Sequence, residues 1–211
     1  MRFPSCEAYV YPGEADMAVY LPLSPERAEE LAALLPSPRP TLVALHELDW
    51  NGALSPWAAE RVFRDGGDFS GGGPAFLREL TEVIIPAMEG EVPARRMIAG
   101  YSMGGLFALY AALNTDAFEL AASVSGSLWF DGFAAYALQR PCRAKAVYLS
   151  LGDKEKNTRN PRMAVIEDCT RAIAAHLGCR VEMNPGGHFR EELPRLARGI
   201  TALMNKTGSA S

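Results

Sequence analysis

Short, uninterrupted apolar runs alternate with longer segments of helical periodicity along most of the chain. The runs at 41–45, 97–99, 121–124, 146–151 and 181–183 read as strands, and the first four have the character of strands buried on both faces. Between them, 74–85 carries apolar residues at 76, 77, 80, 83 and 84, which is helical spacing. Residues 106–113 form a second helical segment, and 160–177 a third that opens at Asn160-Pro161 and stops at Gly178. A last amphipathic helix is predicted over 190–204, with 193, 196, 197, 200, 203 and 204 on one side. Near the start, 6–11 and 15–21 read as strands joined by a Pro12-Gly13 turn, which predicts an antiparallel hairpin. Ser24 then caps a helix with Pro25 in its first turn, ending before Pro36.

Strands alternating with helices imply an α/β fold with a mostly parallel sheet covered on both faces. Its 211 residues fit a single domain spanning 1–211. Ligands on such sheets sit beyond the carboxyl ends of the strands, so the residues just after each strand are the ones to inspect. The polar, Gly-rich stretch from 46 to 73 is a long loop with one helical turn, and loops of that length in compact domains tend to serve function.

Composition narrows the function classes. A net charge of -4 implies no basic face for nucleic acid or for an anionic membrane. No apolar run reaches transmembrane length, and the first residues lack the apolar core of a signal peptide, so the expected location is the cytoplasm. Cys6, Cys142, Cys169 and Cys179 are scattered without a CxxC pair, which predicts free thiols and neither a zinc site nor a disulfide framework. The expected cofactor and metal complement is none, and the expected assembly a monomer or homodimer.

The chemistry concentrates on Gly100-Tyr101-Ser102-Met103-Gly104, a GxSxG sequence between an apolar strand and an apolar helical segment. A sharp turn there lifts the serine hydroxyl clear of the sheet, as in the α/β-hydrolase fold, and aims the Met103 N–H at the reacting carbonyl oxygen. A serine hydroxyl needs a base. Of the three histidines, His176 lies inside a helix and His46 precedes the serine. His188, after the last strand, alone satisfies the order serine, acid, histidine. The acid belongs after the run 146–151, where Asp153 and Glu155 both qualify. In many α/β-hydrolases the acid lies three residues after a glycine such as Gly152, and that resemblance favours Glu155. The second oxyanion N–H is expected from Leu48 or Glu47, provided the carboxylates of Glu47 and Asp49 aim elsewhere.

Four stretches, Ala99-Gly-Tyr-Ser-Met-Gly-Gly105, Ser125-Gly-Ser-Leu-Trp-Phe130, Gly152-Asp-Lys-Glu-Lys156 and Gly186-Gly-His-Phe189, resemble bacterial esterases related to the enterobactin (siderophore) esterases. These belong to the esterase D-like branch of the α/β-hydrolases. The resemblance covers roughly 40–200 and implies Ser102 as nucleophile, His188 as base and Trp129 as a wall of the substrate pocket, with Tyr101 and Trp50 as further lining. The chain is short for this group, and its His46-Glu47 loop lacks the usual His-Gly start. The expected function is hydrolysis of a small-molecule carboxylic ester. Acyl transfer through the same residues and a non-catalytic binding protein on a hydrolase fold are the alternatives.

Overall fold

The computed structural model describes residues 1–62, 66–88 and 90–208. The chain begins with β1 (Glu7–Tyr11), β2 (Ala18–Pro22), α1 (Pro25–Leu34) and β3 (Thr41–His46). A single turn, α2 (Trp50–Ala53), and a short ribbon of β4 (Ala58–Ala59) and β5 (Phe69–Ser70) lead to α3 (Gly73–Glu79). A π-helical turn (Leu80–Ile84) runs on into α4 (Ile85–Met88). Then come β6 (Arg96–Tyr101), α5 (Met103–Asn114), β7 (Leu120–Val124), α6 (Phe133–Leu138) and β8 (Ala146–Gly152). The chain closes with α7 (Pro161–Ala164), α8 (Ile166–His176), β9 (Val181–Asn184) and α9 (Glu192–Gly208).

The main sheet has the order β1-β3-β2-β6-β7-β8-β9, and every neighbouring pair except β1–β3 is parallel. Alternate residues of each strand enter different cores. Met97, Ala99, Leu120, Ala122 and Val124 pack with Leu31 of α1 and Leu196, Ile200 and Leu203 of α9 on one face. Ile98, Ala121, Leu149 and Leu151 pack on the other with α3, α4, α5, α6 and α8. Burial on both sides is why these strands are written as unbroken apolar runs.

Four elements differ from the sequence reading. The antiparallel pair at the N-terminus is present, but β1 makes it with β3, which lies between β1 and β2. All five residues of β2 are buried, so this strand takes an interior place, while half-exposed β1 takes the edge. The 12–17 segment crosses the start of β3, where Ala15 N–H donates to Arg39 O at 2.8 Å and Thr41 N–H to Met17 O at 2.9 Å. In the 74–85 helix the π turn rotates Val83 outward, 47% exposed, and buries Ile84 and Ile85 together. The helix read over 160–177 is divided at Val165; α7 buries none of its residues, and α8 buries Ile166, Thr170, Ile173 and Ala174. Finally, α6 has no counterpart in the sequence reading; it buries Phe133 and Ala137.

The crossing of β6 and α5 is tighter than any side chain allows. A methyl group at Gly100 would sit 2.2 Å from the Gly104 carbonyl carbon, and one at Gly105 would sit 2.8 Å from Gly126 Cα. Gly100→Ala therefore forces β6 and α5 apart. The expected cost is about 3 kcal/mol or more, seen as a drop of roughly 6–12 °C in Tm by differential scanning calorimetry. An unchanged melting temperature would contradict this packing.

Candidate active site

Ser102 occupies the turn between β6 and α5 with φ 57° and ψ -121°, a backbone conformation uncommon for a residue with a side chain. The turn is held by Leu106 N–H and Ser127 N–H, which donate to Ser102 O at 3.0 and 2.9 Å. Its hydroxyl meets His188 Nε2 at 3.1 Å and Ser127 Oγ at 3.4 Å. His188 follows β9, and its Nδ1 lies 2.7 Å from Glu155 Oε2. Three residues distant in sequence thus form one hydrogen-bonded line at the carboxyl edge of the sheet.

The Glu155 side chain is 4% exposed. Its second oxygen, Oε1, accepts from Ser125 Oγ and Gly152 N–H, each at 2.7 Å, and from Arg195 Nη1 at 3.3 Å. Burial alone would push this carboxyl up. The bonds from His188, Ser125 and Gly152 outweigh burial and hold it below its ordinary value. Asp153, the other acid considered, does not reach the imidazole: it is exposed, and its Oδ1 accepts from Gly186 N–H at 2.7 Å. It braces the loop that carries His188.

Met103 lines the cleft beside Ser102 and opens α5, where its N–H has no intrahelical acceptor. Glu47 and Leu48 line an adjoining depression of about 310 Å3 that shares Trp50 with the cleft but does not include Ser102. Both nearby acids are engaged outside the cleft. Glu47, at φ 59°, pairs with Arg2 at 3.4 Å, and Asp49 caps α2 by accepting from Gly52 N–H at 3.1 Å.

Two cavities meet at Ser102 and His188. One, of about 230 Å3, is lined by Phe69, Met103, Ser127, Trp129 and Met163. The other, of about 210 Å3, is lined by Pro22, Tyr101, Leu193 and Leu196, with Arg27 and Glu192 at its side. Trp50 and Phe189 border both. Trp129 is buried against Phe69 and Phe130, so it is at once a core aromatic and a cavity wall. Tyr101 reaches the second cavity and also donates its hydroxyl hydrogen to His188 O. Ser125, Ser127, Phe189 and Arg195 were not singled out from the sequence. The two serines lie in the stretch that supplied Trp129, and Phe189 follows the histidine directly. Arg195 gave no signal, because an arginine on an amphipathic helix ordinarily faces water.

A mostly parallel sheet flanked by helices, with a strand–serine–helix turn at its carboxyl edge, defines an α/β-hydrolase. The chain belongs to the Esterase family, whose model matches residues 28–192. Its fold is similar to that of an IroE-like serine hydrolase from Shewanella oneidensis (19% identity, TM-score 0.76, covering 95% of this chain and 76% of that one). It is also similar to the siderophore hydrolase EstA from Aspergillus nidulans (19% identity, TM-score 0.68, covering 96% and 95%). A curated relative, the uncharacterized protein YbbA of Bacillus subtilis (strain 168), is 31% identical over 110 residues, 48% of this chain. The chain spans 44% of the length of that relative. Among the described residues no helix is long and apolar enough to cross a membrane, and no group of His, Cys, Asp and Glu is placed to hold a metal.

Replacing Glu155 by glutamine leaves Arg195 buried without its countercharge. The loss at pH 7 should be about 3 kcal/mol or more, measured by urea unfolding. Because the folded carboxyl holds its proton less tightly than an unfolded one, its stabilisation is complete above about pH 4.3. It drains away as the pH falls through the lower folded value. The gap between parent and Glu155→Gln should therefore narrow in acid; a gap of constant size would contradict the assignment.

Proposed function

We propose that this protein is a serine esterase in which Ser102 is the nucleophile, His188 the general base and acid, and Glu155 the carboxylate that orients the imidazole. One observation carries the reading. A continuous line runs from a hydroxyl at a sharp strand–helix turn, through an imidazole at 3.1 Å, to a buried carboxylate at 2.7 Å.

Ser102 Oγ attacks the ester carbonyl carbon as its proton passes to His188 Nε2. The carbonyl oxygen takes up the negative charge and is stabilised by the Met103 N–H and by an N–H from the loop at 47–48. His188 then returns the proton to the departing alkoxide oxygen, leaving an acyl group on Ser102. Water, deprotonated by the same nitrogen, attacks that acyl carbonyl and releases the acid and the free hydroxyl. Glu155 stays ionised and holds the Nδ1–H tautomer in place throughout.

The cleft favours esters with apolar or aromatic groups near the scissile bond, because Trp129, Phe69, Met163, Trp50 and Phe189 surround Ser102. Phe189 is 81% exposed and meets the imidazole edge to face at 5.0 Å between centroids. Siderophore lactones and acylated phenols both fit that chemistry, and the similar folds of the siderophore hydrolase EstA and of an enterobactin esterase from Shigella flexneri support the former.

Ser102→Ala should lower hydrolysis of p-nitrophenyl butyrate by about 10⁴-fold or more and abolish labelling by a fluorophosphonate probe. Full activity in this variant would end the reading. Phe189→Ala should raise KM for aryl esters by about tenfold, the worth of ~1.4 kcal/mol of apolar contact, with kcat nearly unchanged. An equal loss in kcat with KM preserved would instead place Phe189 in the chemistry of the imidazole.

A further inference from the structure

We propose that Arg195 is a positioning residue of this site: it fixes which oxygen Glu155 turns to His188 and ties down the loop that carries the imidazole. The inference rests on the esterase reading above. Arg195 lies on α9 between Leu193 and Leu196 of the second cavity and touches no reacting atom, and its side chain is 0% exposed. A guanidinium taken out of water is costly unless its charge and most of its donors are met; in Arg195 the Nε finds no hydrogen-bond partner, and Nη1 and Nη2 make the contacts.

Here the donors diverge onto the machinery of the site. Nη1 lies within 3.3 Å of Glu155 Oε1, 3.3 Å of Ser125 Oγ and 3.4 Å of Tyr101 Oη, and Nη2 donates to Pro185 O at 2.9 Å. Two consequences follow. With Arg195, Ser125 and Gly152 on Oε1, the other oxygen of Glu155 is left to His188 alone. And the 185–188 loop is held at both ends. Nη2 grips Pro185 O, while Tyr101, beside Nη1, donates to His188 O.

A simple ion pair inside the fold needs only a charge, which lysine supplies. This arrangement needs a planar fork whose two ends serve different partners, which a single ammonium does not reproduce. The charge has a separate effect. A fixed cation beside the Glu155–His188 couple disfavours proton uptake by that couple, so its removal moves the acidic limb of the rate profile to higher pH. Other titratable and charged groups also face the couple, of which Tyr101 touches Arg195 Nη1 at 3.4 Å. They are the Tyr101 phenol from β6, Asp153 bound to Gly186 N–H, Arg190 packed on Gly186, and Glu192 paired with Arg27 of α1.

The test compares Arg195→Met, Arg195→Lys and Tyr101→Phe with the parent and with Ser102→Ala, using p-nitrophenyl butyrate across pH, with circular dichroism and thermal melts to establish folding. Arg195→Met should lose about 100-fold in kcat, the scale of a small misplacement of the imidazole. Its KM should stay near the parent value, and the acidic limb of kcat/KM should move up in pH. Arg195→Lys should keep the limb in place and recover only part of kcat. Tyr101→Phe should lose kcat without moving the limb. A folded Arg195→Met with parental kcat and an unmoved limb overturns the proposal. If that variant does not fold, parental kcat in both Arg195→Lys and Tyr101→Phe overturns it. An inactive Ser102→Ala beside such results shows that the esterase reading survives and this proposal alone has failed. An active Ser102→Ala removes both.

Discussion

Taking a carboxylate out of water costs several kcal/mol unless hydrogen bonds and countercharge replace its hydration. Glu155 meets that demand with donors from four places: Ser125 after β7, Gly152 at the end of β8, His188 after β9 and Arg195 on α9. β7, β8 and β9 are consecutive in the sheet, paired with Val124 against Ser150 and Gly152 against Asn184. A slip of one residue in either pairing would point the wrong groups at the carboxylate and leave a buried charge unsatisfied. The register of this half of the sheet and the geometry of the His188 loop are thus bound together through a single side chain.

The serine side of the cleft rests on a different constraint, a steric one. Ser102 is held at φ 57° by bonds to its carbonyl from α5 and from Ser127. The turn depends on Gly100, Gly105 and Gly126, which let neighbouring segments approach to distances that a β-carbon forbids. One half of the proposed machinery is therefore positioned by the absence of side chains, the other by a dense set of polar ones. Both halves meet at the 3.1 Å contact between Ser102 Oγ and His188 Nε2. That contact is longer than the imidazole–carboxylate bond, consistent with a hydroxyl that shifts as substrate enters.

These two constraints differ in how well a sequence displays them. Two-sided burial writes itself as unbroken apolar runs, so the interior strands and the turn between residues 99 and 105 are legible. Long-range pairing is not. Nothing local in residues 6–22 says that β3 will lie between β1 and β2; only the complete burial of β2 hints at an interior place. The extra residue of the π turn, which trades Val83 for Ile85, is likewise invisible to a helical wheel of fixed period. In the site, Asp153 and Glu155 are chemically alike and two positions apart. Tertiary structure separates them by sending one to the Gly186 N–H and the other to the imidazole. Arg195 was illegible for the opposite reason: its surroundings in sequence are those of a solvated helix face, and its partners come from β6, the β7 loop, the β8 loop and the Pro185 loop.

The cleft divides its labour along the same lines. Beneath His188 lie the buried polar groups that set its orientation, with Glu155 and Arg195 almost wholly out of water. Above it stand Phe189 and Trp50, exposed by 81% and 42%, whose rings border both cavities. Side chains held by several buried hydrogen bonds have fewer arrangements than those at an exposed lip. On the esterase reading, the rigid floor supplies proton transfer that is indifferent to the substrate's outer parts. The aromatic lip then selects among substrates through apolar contact. Because residues 188 and 189 are adjacent in the chain, anything that loosens the floor also displaces the lip, and selectivity and rate in this protein are coupled through a single peptide unit.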